Sequence, residues 1–150
     1  PVLLQRVADA TVRVAQSRVP DVAFVREGAI DPPPVCGDLG YVEQAARDLT
    51  LVASRYTSPG QPVIVRVDQD RDTPSEVVFR VHDRGPQLTS AERTRAFDLP
   101  NGSAVGRLGG NGVGPFVARQ LIEAMGGRVW ARNLADGGVE MAFALPVAAD

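Results

Sequence analysis

The residues best suited to chemistry lie in a glycine-rich stretch that leads into a segment with helical spacing. Residues 106–114 are rich in glycine around Asn111, and apolar side chains then recur on one helix face: Val117, Leu121, Ile122 and Met125. A glycine loop that opens a helix lets backbone N–H groups approach an anion closely, and the helix dipole adds positive potential there. The stretch predicts a phosphate-binding site; the alternative is a linker before an ordinary helix.

Three longer helices and several strands are predicted to position this stretch. Apolar spacing predicts helices over residues 1–18, over residues 38–56 with Asp38 as the N-cap, and over residues 114–125. Five segments have the composition of strands: residues 21–27, 62–67, 76–82, 128–132 and 139–145. Thr89 and Glu92 form a capping-box pattern, which predicts a short helix through about residue 97.

The order of these elements predicts an α+β fold. Helices alternate with hairpins, which favours a two-layer α/β sandwich with three main helices on one face of a mixed, mostly antiparallel sheet. We expect Trp130 and Phe143 in the core of the sheet, because large aromatic side chains dominate cores. We expect His82, the only histidine, to be a strand residue.

Composition favours a globular domain and excludes some classes of partner. With 150 residues, 44% of them hydrophobic, the chain is expected to form one domain over residues 1–150. A net charge of −2 argues against nucleic-acid binding. A membrane-spanning helix needs about 20 apolar residues in a row, and no run in this sequence approaches that length, so we expect no membrane contact by this domain. The single cysteine, Cys36, cannot form an internal disulfide, so we expect a cytoplasmic location. Because the chain starts at Pro1, we expect a piece excised from a longer protein.

Several short motifs follow one another in a characteristic order. They are Gly37-Asp38, Arg55-Tyr56-Thr57-Ser58-Pro59-Gly60, Asp83-Arg84-Gly85-Pro86, Ala96-Phe97-Asp98, and Gly110-Asn111-Gly112-Val113-Gly114. With this order and spacing, the chain resembles the catalytic ATP-binding domain of sensor histidine kinases, in the superfamily shared with gyrase, a heat-shock chaperone and a mismatch-repair ATPase. The resemblance covers nearly the whole chain and implies the Bergerat-type ATP-binding fold.

The resemblance also implies roles for individual residues. Asp83 would accept a hydrogen bond from the adenine amino group, which suits a carboxylate because it accepts and does not donate; the alternative is an Asp that only forms a turn. Gly85 would let the backbone approach the base. The remaining nucleotide and lid residues implied by the resemblance are Arg55, Tyr56, Gly110, Asn111, Gly112, Val113 and Gly114 for the nucleotide, and Phe97 and Arg107 for the lid. Tyr56 has a second interpretation, in which it covers the edge of the core.

Several positions depart from the family pattern, and two of them bear on the nucleotide and its metal. Gln87 stands where a second glycine is usual, and Val52 stands where an asparagine commonly ligates Mg²⁺. Valine has no side-chain oxygen, and Mg²⁺ requires oxygen ligands. Asp48, one helical turn earlier, is the candidate metal ligand, and its alternative is a solvated helix residue.

The resemblance implies transfer of the ATP γ-phosphate to a histidine on a separate helical hairpin. That dimerisation and phosphoacceptor domain would belong to the same protein outside this chain, with a response regulator downstream and a monomer expected for this domain alone. The expected cytoplasmic location includes the case in which this domain is the cytoplasmic part of a membrane-bound sensor. The alternative is a degenerate nucleotide-binding or protein-interaction module without catalysis and with impaired Mg-ATP binding.

Overall fold

A computed structural model describes residues 1–29, 31–99 and 114–149 of the chain. The helices are α1 (Leu4–Arg18), α2 (Leu39–Tyr56), α3 (Ser90–Arg95) and α4 (Gly114–Ala124). The strands are β1 (Phe24–Gly28), β2 (Val63–Asp68), β3 (Glu76–His82), β4 (Arg128–Asn133) and β5 (Val139–Pro146). None of the described helices is long and apolar enough to cross a membrane.

The five strands form one sheet in the order β1-β2-β3-β5-β4. Strand β1 runs parallel to β2, and the other neighbouring pairs are antiparallel. Helices α1, α2 and α4 contact the sheet on one face, and α1 and α4 each pack against α2. The predicted two-layer sandwich is confirmed.

Helix α2 is the central helix of this layer. It begins after Asp38, whose side chain accepts a hydrogen bond from the Tyr41 N–H at 3.1 Å. Its buried face consists of Val42, Ala45, Ala46, Leu49, Thr50, Val52 and Ala53. Full burial of a side chain the size of Leu49 contributes about 1.5–3 kcal/mol, so this face holds the helix on β2, β3 and β5.

Two elements start more than one residue later than predicted. Helix α1 starts at Leu4 because Val2 forms an antiparallel bridge with Val35, which in turn pairs with Val147. Strand β1 starts at Phe24, later than predicted. In the short helix α3 the predicted capping box is present, since Thr89 and Glu92 bond each other's backbone N–H at 2.9 and 3.1 Å.

The expectation for Trp130 was wrong. Phe143 lies in the core and stacks on Phe79 with ring centroids 5.0 Å apart. Trp130 instead packs with Val78, Ala142 and Ala144 on the sheet face that carries no helices. The reason is the strand period of two: in β4 the neighbours of Trp130 face the helices, so its own side chain faces the opposite way.

Candidate functional site

Asp83 is a buried carboxylate at the end of β3. Its side chain is 1% exposed, and its Oδ1 accepts a hydrogen bond from the Gly85 N–H at 2.9 Å. Its own N–H donates to the Val139 carbonyl at 3.0 Å, which continues the β3–β5 ladder by one residue. An Asp that bonds the backbone two residues on forms a rigid turn. Asp83 therefore presents its carboxylate in a fixed direction.

The turn after Asp83 is locked between two neighbouring segments. A Cβ atom on Gly85 would lie 1.7 Å from the Tyr56 carbonyl oxygen, so the turn lies directly against the end of α2. A Cβ atom on Gly138, in the β4–β5 turn, would lie 2.0 Å from the carbonyl oxygen of Asp83. Neither position has room for a side chain. The structure thus gives Gly85 a packing role, beside the predicted approach to a base.

Gln87 and Leu88 are tied to the β4–β5 hairpin. The Gln87 side chain donates to the Leu134 carbonyl at 2.7 Å. The side chain of Asn133 accepts from the Leu88 N–H at 2.7 Å and donates to the Leu88 carbonyl at 3.0 Å. Asn133 is a positioning residue that the sequence did not reveal, because an amide before a turn is common and its partner is distant in the chain.

The predicted residues of α2 lie on successive turns of that helix. Arg55 is exposed in the last turn, and Tyr56 is half-buried and packs against the core. Val52 is 3% exposed and belongs to the core, so it offers no metal ligand. Asp48 lies two turns before Tyr56, which at 1.5 Å per residue is about 12 Å along the axis. One helix therefore links the Asp83 turn with Asp48.

Asp48 lies beside the first residue of α4. A Cβ atom on Gly114 would be 3.4 Å from the Asp48 Cβ. Its Oδ2 is buried and has no hydrogen-bond partner among the described residues. Burial raises the pKa of the Asp48 carboxyl above its ordinary value, and the positive charge of Arg47 opposes that shift. Removing a carboxylate oxygen from water without a partner is unfavourable, so this oxygen is suited to a cation.

The donor set around Asp48 is that of a Mg-nucleotide complex and not of an all-protein metal cage. Within the described ranges no group of three or more His, Cys, Asp or Glu side chains is arranged to hold a metal ion. Mg²⁺ in nucleotide enzymes is usually held by one or two carboxylates together with substrate phosphates and waters. A single orphaned carboxylate oxygen, at Asp48, fits that mode of binding.

The phosphate and lid predictions are only partly within the described residues. Gly114 is the first residue of α4 and Phe97 is 7% exposed in the core, next to an ion pair between Asp98 and Arg119 at 3.2 Å. Arg119 also lies over the Phe116 ring, 5.7 Å from its centroid. The other predicted residues of this region lie outside the described residues: Arg107, Gly110, Asn111, Gly112 and Val113.

The helix-free face of the sheet carries a buried ionic cluster that the sequence did not predict. Glu140 is fully buried and accepts hydrogen bonds from His82 and Trp130, both at 2.8 Å, and from Arg132 at 2.7 Å. Arg80 approaches both carboxylate oxygens at 3.2 Å. Burial by itself raises the pKa of Glu140, but hydrogen bonds from His82, Arg132 and Trp130 and the charge of Arg80 hold it well below its usual range. The cluster joins β3, β5 and β4 directly behind Asp83.

Comparisons with known proteins agree with this geometry. A family model described as histidine kinase-, DNA gyrase B-, and HSP90-like ATPase matches residues 37–149. The adaptive-response sensory kinase SasA of Synechococcus sp. (strain CC9311) is 29% identical over 131 residues, covering 85% of this chain and 33% of SasA. The histidine-protein kinase/phosphatase MprB of Mycobacterium sp. (strain KMS) is 30% identical over 105 residues, covering 69% of this chain and 20% of MprB. The chain thus spans a third or less of these curated relatives.

Solved structures share the fold. The mycobacterial sensor histidine kinase MprB aligns with a TM-score of 0.77 at 23% identity, covering 95% of this chain and 93% of that one. Full-length ShkA in complex with AMPPNP aligns with a TM-score of 0.81 at 21% identity, covering 100% of this chain and 32% of ShkA. The chain therefore belongs to the histidine kinase-, DNA gyrase B- and HSP90-like ATPase family, and its fold is that of histidine kinase ATP-binding domains.

Proposed function

We propose that this chain binds ATP with Mg²⁺ and transfers the γ-phosphate to a histidine on a helical hairpin domain of the same protein. The observation that carries the proposal is the buried, rigidly held carboxylate of Asp83 at the end of the central strand β3. Its place in a family of ATPases supports it, as does the bound ATP analogue named for ShkA. His82 is not the acceptor in this proposal, because its ring is engaged with Glu140.

Each part of the chain has a distinct role in the proposed reaction. Asp83 accepts a hydrogen bond from the adenine amino group, and the N-terminus of α4 attracts the phosphates through its dipole. Arg55 neutralises phosphate charge from the exposed end of α2. Bound Mg²⁺ supplies further neutralisation of phosphate charge. Phosphoryl transfer then depends mainly on positioning and electrostatic stabilisation.

The partners of the proposed reaction lie outside this chain. A histidine of the phosphoacceptor hairpin receives the phosphoryl group, which is then transferred to a response regulator. The names of the relatives, which are sensory and histidine-protein kinases, support this proposal. We place this reaction in the cytoplasm and the isolated domain in solution as a monomer.

A second candidate is a nucleotide-binding module without phosphotransfer. The buried Val52 favours it, because the position that commonly ligates Mg²⁺ in the family has no oxygen. Gln87 does not favour it, since the Gln87 amide is bonded to the hairpin at the Leu134 carbonyl. The two candidates share nucleotide binding and differ in the metal and the transfer step.

Calorimetric titration with AMPPNP tests the shared step. We expect Asp83→Asn to weaken binding about 10- to 100-fold, because a hydrogen bond to a charged acceptor is worth about 1.5–3 kcal/mol. The matched control is Asp9→Asn, which removes a carboxylate of α1 that pairs with Arg26 of β1 at 3.1 Å. Equal affinities of wild type and Asp83→Asn would contradict the adenine role.

Phosphotransfer needs its own assay. Full-length protein incubated with ATP labelled at the γ-phosphate is expected to acquire acid-labile phosphohistidine. Nucleotide binding without any labelled histidine would favour the second candidate over the first.

A further inference from the structure

Thr57, the residue that follows α2, contacts the turn that holds Asp83. The Thr57 N–H donates to the Ala53 carbonyl at 3.0 Å, so the backbone of Thr57 is tied to the last turn of the helix. The Thr57 Oγ1 accepts a hydrogen bond from the Arg84 N–H at 3.1 Å. A side chain anchored at the end of α2 thus holds the backbone of the residue directly after Asp83.

The same hydroxyl also faces the segment that leads into β2. Its Oγ1 lies 3.4 Å from the Gln61 carbonyl oxygen and 3.5 Å from the Pro62 carbonyl oxygen, and its one hydrogen is donated to one of them at a time. The branched Cβ of threonine further restricts rotation about χ1. The Arg84 N–H therefore meets an acceptor that is held from two sides.

Two contacts at successive residues fix the Asp83 turn against the end of α2. The Tyr56 carbonyl occupies the space next to Gly85, and the Thr57 hydroxyl holds the Arg84 N–H. The Gly85 N–H in turn donates to the Asp83 Oδ1 at 2.9 Å. Because Arg84 links Asp83 to Gly85, the position of its backbone decides where this last hydrogen bond points the carboxylate.

We propose that Thr57 is a positioning residue for base recognition, whose hydroxyl aims the Asp83 carboxylate at the amino group of adenine. This inference rests on the proposed function. Thr57 acts through Asp83 and not on the nucleotide itself. Hydrogen bonds weaken steeply when donor and acceptor are misaligned. Loss of the Thr57 hydroxyl should therefore reduce the preference for a base with an amino group more than it reduces binding of the phosphates.

The test is calorimetric titration of this chain with ATP and with purine riboside triphosphate, whose base lacks the amino group. Thr57→Val keeps the shape of the side chain without the hydroxyl, and Thr57→Ser keeps the hydroxyl. The matched control is Thr50→Val, which removes a buried hydroxyl of the same helix that donates to the Ala46 carbonyl at 2.7 Å.

The expected result is a change in the ratio of the two affinities. Thr57→Val should weaken ATP binding about three- to tenfold, in line with the loss of one hydrogen bond, and weaken binding of purine riboside triphosphate less than about twofold. Thr57→Ser and Thr50→Val should both keep the wild-type ratio within about twofold. A merely structural loss would lower both affinities equally, so an unchanged ratio in Thr57→Val would overturn the inference.

Two further measurements connect the effect to the Asp83 turn. In the nucleotide-free chain, the Arg84 amide should exchange its hydrogen several-fold faster in Thr57→Val than in wild type or Thr57→Ser, and equal exchange would contradict the inference. In an Asp83→Asn background, Thr57→Val should weaken ATP binding no further, because residues that act as one unit are not additive. A full additional loss would also overturn it.

The inference and the proposed function fail in different ways. ATP binding that depends on Asp83 but is unaffected by Thr57→Val would refute the positioning role and leave the proposed function intact. Failure of the wild-type chain to bind ATP would refute the proposed function itself, and the inference with it.

Discussion

Replacing Glu140 by glutamine tests whether the cluster behind Asp83 holds three strands together. Glutamine keeps the shape of the side chain but removes its charge. One oxygen can still accept hydrogen bonds, while the new NH₂ group faces positions now occupied by the donors of His82, Trp130 and Arg132. The substitution therefore leaves buried donors without acceptors.

The expected cost follows from the exposure of the partners. The Arg80 side chain is 13% exposed, so its charge would stay largely buried without a counter-charge. Breaking a buried pair by removing one partner costs about 3–5 kcal/mol. Arg132 is 56% exposed and returns to water, where an ion pair contributes only about 0–1 kcal/mol. We expect Glu140→Gln to lower the free energy of unfolding by about 3 kcal/mol at pH 7.

Urea denaturation followed by far-ultraviolet circular dichroism measures this loss. Dichroism is preferable to fluorescence because the single tryptophan, Trp130, is itself a member of the cluster. The control is Glu76→Gln, which breaks a pair with the 53%-exposed Arg128 and should cost less than about 1 kcal/mol. Equal losses in the two variants would refute the conclusion that burial makes the Glu140 cluster strong.

The same cluster predicts a pH dependence. Because folding lowers the pKa of Glu140, its contribution is complete above the ordinary value of 4.5 and declines as the pH falls toward the folded pKa. The stability difference between wild type and Glu140→Gln should therefore shrink between pH 5 and pH 3, by about 1.4 kcal/mol for each unit below the ordinary pKa. A difference that stays constant or grows over this interval would show that Glu140 is not held ionised by its partners.

Three further predictions concern the turn after β3 and the helix that follows. Gly85→Ala should lower the free energy of unfolding in urea by more than about 2 kcal/mol, because the new Cβ would meet a backbone carbonyl of α2. The control Gly60→Ala, with φ of +80° and open space around it, should lower it by about 1 kcal/mol. Similar losses in the two variants would contradict the packing role of Gly85. Asn133→Ala should lower the free energy of unfolding by about 1–2 kcal/mol and speed hydrogen exchange of the Leu88 amide. Unchanged exchange at Leu88 would contradict the positioning role of Asn133. Thr89→Ala should lower the free energy of unfolding by about 1 kcal/mol through loss of the cap of α3. If urea denaturation shows no such loss, α3 unfolds separately from the rest of the domain.

Local signals were sufficient to predict most elements. The limits of α2 follow from the Asp38 cap and the apolar spacing, and both signals lie within the helix itself. The start of α1 did not follow in the same way, because Val2 pairs with Val35, far along the chain. A β-bridge to a distant residue leaves no periodic pattern in the sequence.

The faces of the sheet were harder to assign than its strands. A period of two separates the side chains of a strand into two sets but does not say which set meets the helices. An aromatic side chain favoured the core for Trp130, yet Val129 and Ala131 face the helix layer instead. No pattern in the sequence singled out Glu140, since its partners come from β3 and β4 and meet only once the strand order is known.

The candidate site was predictable where a motif lies within one segment. Asp83 with Gly85 was found in this way, and its adenine role stays a prediction. The contact of Gly85 with Tyr56 was not predictable, because the two residues are brought together only when α2 lies against the end of β3. The direction of the Gln87 side chain was hidden for the same reason.

The substitutions at positions 48 and 52 make most sense when they are taken together. Valine at position 52 exchanges a polar side chain for buried apolar surface, which stabilises α2 on the core and removes an oxygen from the metal. Taken alone, that change would leave Mg²⁺ with phosphates and water. Taken alone, a carboxylate at position 48 would place a buried negative charge beside the phosphates. Under the proposed function, the cation would compensate the carboxylate, and the carboxylate would give the cation one protein oxygen. The two positions together are therefore compatible with the proposed Mg-ATP binding.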